Sequence, residues 1–438
     1  MRKPNILMLV SHDTGSYFGC YNRGTDTPAI DLVAEEGVRF DHYFCPAPQC
    51  SPSRGSMLTG LYPHNHGLIG LAHMGFSLNA GTATLPSELR RSGYETVLFG
   101  FNHERMAGAE QSKHALGYDR VVEIPGERAN QVADHVERFL VERATSIDQP
   151  FYASVGFFET HRPFDEYEPV TQSRIPPYLP DSPKVRQDMD QFHGSVRALD
   201  HAVGRIHQAL ENSGLAENTV LIVTTDHGIA FPRAKGTLFD AGLECGLIIR
   251  WPGGMRGGRI HSELLCNVDL MPTLLELAGA AVPDGLDGRS FLPLLLEQDY
   301  VPRESFFCEL TWHDRYHPMR GIRTSRYKYI RNFEEGPRVY LPLDIHQSLS
   351  GQEVREHYYI HNTEEELYDL VEDQLEQNSR IADPAYTEVL IELRTRVEEW
   401  MIRTNDPLLQ GKVPGYDAPE WQSEIDNGTA YESDAYKT

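Results

Sequence analysis

The 438-residue chain has little positive charge for its size. Forty lysines and arginines stand against 64 aspartates and glutamates, which gives a formal net charge of −24. Binding to nucleic acid requires a basic face that neutralises phosphates, so we exclude this class of partner. A small anionic substrate is not excluded, because a local group of cations can hold one in an acidic protein.

The chain also lacks long apolar runs. No stretch approaches the ~18 apolar residues of a membrane-spanning helix, so we expect no membrane anchor. The apolar run at residues 6–10 is shorter than the roughly 7–15 residues of a signal-peptide core. We therefore expect a cytoplasmic protein as written, or a periplasmic or secreted one if a leader has been removed.

Cysteine is scarce and scattered. The six cysteines are Cys20, Cys45, Cys50, Cys245, Cys266 and Cys308. Their spacing shows no C-x-x-C pair, so it does not indicate a structural zinc site. A few scattered cysteines are typical of a protein from a reducing compartment.

Apolar runs that alternate with helical patterns predict the fold. Runs at residues 6–10, 94–99, 150–158 and 219–225 are typical of strands buried on both faces. Helical patterns fall at residues 28–36, 86–92 and 184–212. This order predicts an α/β fold with a doubly wound, mostly parallel sheet flanked by helices.

The character of the sequence changes near residue 302. Short apolar runs at residues 306–310 and 327–330 precede an amphipathic helical pattern at residues 385–402. We therefore expect a catalytic α/β domain over residues 1–301. A smaller α+β domain over residues 302–438 should follow, ending in an acidic tail after Pro414.

Polar residues follow three of the predicted strands. Ligands bind at the carboxyl ends of strands in open α/β sheets, so these residues should share one site. The residues are His12, Asp13, His161, Asp226 and His227. Converging carboxylates need a cation to offset their repulsion, which predicts a divalent metal held by Asp13 and Asp226.

The segment CSPSRGSMLTG at residues 50–60 is the most distinctive motif. Pro52 suits the first turn of a helix, where its missing N–H costs nothing. Backbone donors at such a helix start would stabilise an anionic nucleophile at Cys50 and an anionic substrate. A lone buried cysteine is more often a small hydrophobic residue, but the length of this motif favours a functional reading.

Residues 50–60 resemble the signature of type I sulfatases of the alkaline-phosphatase superfamily. The resemblance implies that Cys50 is oxidised to formylglycine by a maturation enzyme, which would be a partner of this chain. It implies metal ligation by a group of five residues: His12, Asp13, Cys50, Asp226 and His227. It also implies catalytic roles for a second group: Cys50, Arg54, His103, His161 and Lys235.

Two positions depart from the family pattern. His12 replaces a common aspartate, and imidazole suits zinc, manganese or iron better than calcium. Calcium is the metal that the family implies, with magnesium, manganese and zinc as alternatives, and His12 could instead bond the substrate. Phe101 replaces a common lysine beside His103, which removes a cation from the sulfate site. Candidates for compensation are Arg105, His64 and His66.

The resemblance extends over residues 4–400 through later segments at 267–279, 286–290 and 366–370. Residues 50–61 and 317–324 look most like the heparan N-sulfatase (sulfamidase) branch. That branch implies substrate-binding roles for His317 and Arg320.

The expected activity is therefore hydrolysis of a sulfate ester or sulfamate, with a sulfated saccharide or another small sulfate ester as substrate. Three alternatives stay open at the level of sequence. One is a phosphonate monoester or phosphodiester hydrolase on the same scaffold. The others are a non-catalytic protein that binds sulfated glycans and a cysteine hydrolase that uses an unmodified thiolate.

Overall fold

A computed structural model describes residues 3–104, 116–145, 149–171 and 173–415, and the described residues form two sheets. The strands of the larger sheet are β1 (Asn5–Ser11), β2 (Val38–Phe44), β3 (Glu95–Gly100), β4 (Arg120–Val122), β5 (Phe151–Gly156), β6 (Thr219–Thr225), β7 (Glu244–Arg250), β8 (Arg259–His261) and β9 (Leu265–Cys266). The strands of the smaller sheet are β10 (Ser305–Trp312), β11 (Tyr316–Thr324), β12 (Tyr327–Asn332) and β13 (Glu365–Asp369).

Helices cover both faces of the larger sheet, and the last of them packs on the smaller sheet. They are α1 (Pro28–Glu36), α2 (Cys50–Thr59), α3 (Pro63–His66), α4 (Leu85–Arg91), α5 (Ala129–Ala144), α6 (Pro183–Asn212), α7 (Asp240–Leu243), α8 (Leu270–Leu277), α9 (Leu292–Leu295), α10 (Leu343–His346), α11 (Leu349–Tyr358) and α12 (Thr387–Arg403). The four strands and three helices predicted for the first 225 residues are present, with ends that differ from the prediction by at most two residues.

The strand order of the larger sheet is β4-β3-β5-β1-β6-β7-β2-β8, and β9 also pairs with β2. The five strands from β4 to β6 are parallel, whereas β7 runs antiparallel to both of its neighbours. The prediction of a doubly wound, mostly parallel sheet is therefore confirmed.

Strand β1 shows how the sheet divides the core. Successive side chains of a strand point to opposite faces. Leu7 and Leu9 join the cluster that contains α1, α5 and α6, whereas Ile6 and Met8 join the cluster that contains α2, α4 and α8. Because both faces of β1 are covered, its apolar run is continuous rather than alternating.

The smaller sheet is an antiparallel meander in the order β10-β11-β12-β13, and α12 packs on it. This arrangement confirms the α+β character of the carboxyl-terminal part. We retain a domain boundary near residue 301 as a proposal, since the second sheet begins only at Ser305. Most of the acidic tail, residues 416–438, lies outside the described residues.

All six cysteines are free thiols. Among the helices of the described ranges, none combines the length and the apolarity that crossing a bilayer requires.

Candidate active site

The residues predicted at the strand ends meet at one edge of the larger sheet. β1 lies between β5 and β6 and is parallel to both, so the segments that follow these strands emerge side by side. The residues brought together there are His12, Asp13, His161, Asp226 and His227.

Asp13 has an unusual backbone conformation. Its φ of 56° lies in the left-handed region, which residues with a side chain seldom adopt. The Asp13 N–H donates to Asp226 Oδ1 at 2.9 Å, and the Thr160 hydroxyl donates to the Asp13 carbonyl at 3.1 Å. A strained residue that is held by its surroundings in this way is typical of a functional site.

Cys50 is the first residue of α2, and its side chain is buried under the same edge. Its Sγ lies 2.8 Å from His12 Nε2, 3.4 Å from His227 Nε2 and 3.7 Å from Asp13 Oδ1. Pro52 lies in the first turn of α2, as the sequence predicts. The start of the helix adds backbone donors and partial positive charge beside the sulfur, which favours an anion there.

Five possible metal ligands form one buried cluster, which we call the ligand cluster. One ligand atom from each member lies within 4.8 Å of those of the others, and the members are His12, Asp13, Cys50, Asp226 and His227. His227 Nδ1 lies 2.9 Å from the Gly228 carbonyl oxygen, to which it can donate, while Nε2 faces the cluster 2.9 Å from Asp13 Oδ1. Two carboxylates with imidazole nitrogens fit a divalent cation.

Two protein cations are paired with the carboxylates of the ligand cluster. Arg54 Nε donates to Asp226 Oδ2 at 2.9 Å, and Lys235 Nζ donates to Asp13 Oδ2 at 2.8 Å. Burial by itself would raise the pKa of Asp13, but Lys235 and the adjacent imidazoles outweigh it and hold that pKa well below its usual value. Burial by itself would lower the pKa of Lys235, yet its carboxylate neighbours raise it, so Lys235 is charged.

Aromatic rings line the remaining side of the site. Phe101 packs on His12 with ring centroids 4.4 Å apart, and His161 packs on His12 at 4.6 Å. His103 contacts Phe101 at 4.7 Å. Gly156 ends β5 and permits this arrangement, because a Cβ there would lie 1.8 Å from the Phe101 carbonyl oxygen.

The imidazoles of this lining are neutral near pH 7. Burial is the largest cause that lowers the pKa of His12, His103 and His161. Burial also raises the pKa of the Cys50 thiol well above its usual value. An unmodified Cys50 would stay protonated and would be a poor nucleophile, which disfavours the cysteine hydrolase.

Two of the three candidates for replacing the cation missing at Phe101, His64 and His66, are bonded elsewhere. His64 pairs with a glutamate of β10, and His66 contacts a hydroxyl and a carbonyl of α2. Arg105 lies outside the described residues. Arg54 instead covers Phe101, with its guanidinium carbon 5.1 Å from the ring centroid.

Arg320, which the sequence predicts to bind substrate, is bonded within the protein, so the structure gives no support to that role. Its side chain is fully buried, and its Nε and one terminal nitrogen donate to Asp406. The other terminal nitrogen donates to Leu310 O, Met319 O and Thr311 Oγ1 at 2.9–3.1 Å. Donors that are all satisfied in this way are typical of a structural guanidinium.

His317 is likewise buried. Its ring stacks on Tyr340 at 5.2 Å, and burial lowers its pKa to about 4. This ring contact does not join His317 to the ligand cluster, so the structure gives no support to a substrate-binding role.

Two site residues are not evident from the sequence. Asp344 Oδ2 accepts a hydrogen bond from Lys235 Nζ at 2.9 Å, although the two residues are 109 positions apart. His73 faces His103 with ring centroids 5.4 Å apart. Neither lies in a local motif, and only a prediction of long-range contacts could have found them.

Known proteins resemble this chain over most of its length. An ulvan-active sulfatase of Formosa agariphila is 28% identical, over 92% of this chain and 76% of the relative. The human N-sulphoglucosamine sulphohydrolase is 26% identical, over 93% of this chain and 91% of the relative. Both alignments extend through the carboxyl-terminal part.

Solved structures share the fold. A protein in complex with its substrate D-glucosamine-2-N,6-O-disulfate superposes with a TM-score of 0.70 at 20% identity, over 92% of this chain and 99% of that one. A phosphonate monoester hydrolase from Silicibacter pomeroyi gives a TM-score of 0.69 at 19% identity, over 92% and 96%. At these identities the likeness concerns the fold alone.

Family models match two parts of the sequence. The model for the carboxyl-terminal region of N-sulphoglucosamine sulphohydrolase matches residues 231–348, which confirms the predicted sulfamidase-like branch. The sulfatase model matches residues 4–280, more than half of the chain. The match covers every member of the ligand cluster, and the chain belongs to the sulfatase family of sulfuric ester hydrolases.

Proposed function

We propose that this sulfatase hydrolyses a sulfate ester or sulfamate on a saccharide, with residue 50 as the source of the nucleophile. The observation that carries the proposal is the placement of Cys50. It begins a helix, is buried, and lies within 3.7 Å of His12, His227 and Asp13. A structural cysteine would not need such polar neighbours, since buried cysteines usually behave as small apolar residues.

The chemistry of residue 50 depends on its conversion to formylglycine. The hydrated aldehyde supplies a hydroxyl for attack on sulfur and a second hydroxyl that permits release of sulfate. The maturation enzyme that performs the conversion is therefore a proposed partner.

The other residues of the site have distinct proposed roles. Arg54 and the start of α2 stabilise negative charge at residue 50. Lys235 binds a sulfate oxygen or the leaving atom. His161 and His103 are neutral imidazoles that can donate a hydrogen bond or exchange a proton at the leaving group.

We further propose one divalent metal, held by the ligand cluster. When bound, it polarises a sulfate oxygen and lowers the cost of an anionic nucleophile. Calcium is the ion that the family implies, and magnesium, manganese and zinc are the alternatives. The imidazoles of His12 and His227 favour zinc or manganese more than an all-oxygen site would.

The substrate class rests on the relatives. Proteins named for N-sulphoglucosamine and for ulvan are similar over more than nine-tenths of this chain. We therefore propose a sulfated saccharide, with N-sulfated glucosamine as the first candidate. The cytoplasmic location of the sequence as written stays a prediction.

The test combines mass spectrometry and sulfate release, using enzyme purified from its native host. We expect the peptide that contains residue 50 to carry the aldehyde, and D-glucosamine N-sulfate to release inorganic sulfate. Bis(4-nitrophenyl) phosphate is the parallel substrate. Faster turnover of the phosphodiester would favour a phosphodiesterase, and saccharide binding without sulfate release would favour a glycan-binding protein.

A further inference from the structure

The Lys235 ammonium lies between two carboxylates that come from different parts of the chain. Its Nζ donates to Asp13 Oδ2 at 2.8 Å and to Asp344 Oδ2 at 2.9 Å. An ammonium has three N–H donors, so these bonds use two and leave one. Lys235 is almost fully buried and Asp13 is fully buried, whereas the Asp344 side chain is 22% exposed. Asp344 therefore lies on the more open side of the lysine.

The fold holds Asp344 at this position through its neighbours. Gly236 has φ of +82°, and a Cβ there would lie 2.9 Å from both Pro342 Cγ and Tyr340 Cδ1. The glycine therefore lets the segment before α10 pack directly against the residue that follows Lys235. Asp314 Oδ2 accepts the N–H of Leu343, which fixes the same segment from another side.

The Asp344 carboxylate is itself oriented. Its Oδ1 accepts the Ile345 backbone N–H at 3.0 Å, while its Oδ2 accepts from Lys235. A carboxylate held at both oxygens restricts the rotation of the ammonium that it contacts. Without Asp344, Asp13 alone would hold Lys235, and the long flexible side chain would sample other directions.

We propose that Asp344 is a positioning residue that fixes Lys235 so that its third N–H meets the leaving atom of the substrate. The inference rests on the proposed sulfatase reaction and deepens it. The part of the chain that follows the larger sheet then completes the active site. The hydrogen bond from Lys235 stabilises negative charge on the leaving oxygen or nitrogen. Its contribution to kcat therefore depends on the leaving group.

The experiment is a double-mutant cycle of Asp344→Asn and Lys235→Met, with two substrates. D-Glucosamine N-sulfate has a poor leaving group, whereas 4-nitrophenyl sulfate releases a stable anion. Displacement of a catalytic group by about 1 Å can cost about 100-fold. We expect Asp344→Asn to lower kcat on the sugar by about 10–100-fold, with KM changed less than about 3-fold. The loss on the aryl sulfate should stay below about 3-fold.

The cycle separates positioning from direct contact. If Asp344 acts through Lys235, the double variant loses no more activity on the sugar than Lys235→Met alone. Additive losses, equal losses on both substrates, or a loss confined to KM would each overturn the proposal. Asp344→Glu keeps the charge and should recover part of kcat.

Two controls protect the result. Glu353→Gln removes a partly exposed carboxylate of nearby α11, which pairs with Lys184 at 3.8 Å, and should leave kcat unchanged. If Asp344→Asn fails to fold, Asp344→Glu is tested in its place. Its longer side chain should shift Lys235, so kcat should again fall more on the sugar than on the aryl sulfate. Failure of the proposed function is distinct, since the wild-type protein would then release no sulfate from either substrate.

Discussion

Two buried clusters of charge differ in how completely their polar atoms are bonded. The first is the ligand cluster at the sheet edge. The second, which we call the Arg320 cluster, consists of Arg320, Glu309, Asp406 and His64 and lies between β10, β11 and the end of α12. Both clusters exclude water and hold carboxylates beside cations.

The Arg320 cluster is nearly closed, because its unbonded oxygen, Glu309 Oε2, still lies 3.4 Å from a terminal nitrogen of Arg320. Every nitrogen of its guanidinium donates to a carboxylate, a carbonyl or a hydroxyl, and His64 is bonded at both ring nitrogens. At the site, by contrast, the Nδ1 atoms of His12 and of neighbouring His103 have no bond partner within the described residues.

Buried polar groups are normally satisfied, and exceptions require a physical reason. A closed network stabilises one structure, whereas an open one retains atoms for a ligand or a reaction. The bonding state of a buried charge therefore distinguishes the two roles better than its charge does.

The largest expected effect comes from removing the nucleophile. Cys50→Ala should lower kcat by about 10⁴-fold or more, because loss of a nucleophile removes a whole covalent route. The measurement is sulfate release from D-glucosamine N-sulfate. Cys20→Ala is the matched control, since it deletes a partly buried sulfur elsewhere, and it should keep wild-type kcat. Retained turnover in Cys50→Ala would show that residue 50 is not the nucleophile.

The next effect concerns the metal. His12→Ala should weaken zinc or manganese binding by about 100-fold. Loss of a residue that only hydrogen-bonds to a metal ligand costs about 10–100-fold in affinity, and loss of a ligand itself should reach at least the upper end of that range. Direct titration of metal-free protein with each ion measures it. His12→Asp should move the preference toward calcium, because an oxygen ligand replaces nitrogen. His73→Ala is the control, and unchanged affinity in His12→Ala would assign His12 to the substrate instead.

Arg320→Leu should affect stability rather than turnover. It leaves Glu309 and Asp406 buried without their cation, so we expect the free energy of unfolding to fall by about 3–5 kcal/mol. Arg331 lies opposite Arg320 in the β11–β12 ladder and makes a surface pair, so Arg331→Leu should cost less than about 1 kcal/mol. Urea unfolding measures both. A large fall in kcat for folded Arg320→Leu would restore the substrate-binding role.

The smallest effect is a pH dependence of the Arg320 cluster. Burial by itself lowers the pKa of His64, but Glu309 outweighs it and raises that pKa, while the pKa of Glu309 falls to about 2. A raised histidine pKa contributes stability that is complete below about pH 6.5 and is lost as pH rises through the folded value. The Glu309 contribution is complete above about pH 4.3 and is lost as pH falls toward 2.

We therefore expect His64→Asn to be less stable than the wild type near pH 6, where the charged pair with Glu309 is present. The deficit should shrink toward pH 9. Thermal unfolding of wild type and variant across this range measures it. His357→Asn, at an exposed histidine of α11, is the control and should unfold like the wild type at every pH. A loss of stability in His64→Asn that does not change with pH would contradict the charged pair of His64 and Glu309.

The sequence predicted those parts that depend on local pattern. Continuous apolar runs identified β1 and β6 because both faces of each strand are covered. Asp13 and Asp226 follow the carboxyl ends of these two strands. Because the strands pair in parallel, both residues lie at the same edge of the sheet. The helix start at Cys50 followed from the proline in its first turn.

What the sequence could not predict depends on distant partners. Arg320 resembles a family position, but its partner Asp406 is 86 residues away, and no local pattern indicates that the two residues are bonded. Asp344 has no motif of its own, and only the packing of its segment beside Gly236 places it at Lys235. The antiparallel direction of β7 likewise follows from its connection to β6 rather than from its composition.

The burial of Cys50 also constrains the order of events in making this protein. The side chain is only 2% exposed, beneath the sheet edge and at the start of a wholly buried helix. An enzyme that modifies this residue cannot reach its sulfur once α2 has docked. The proposed conversion would therefore have to precede completion of the fold, and chains that fold first would accumulate as stable but permanently inactive molecules.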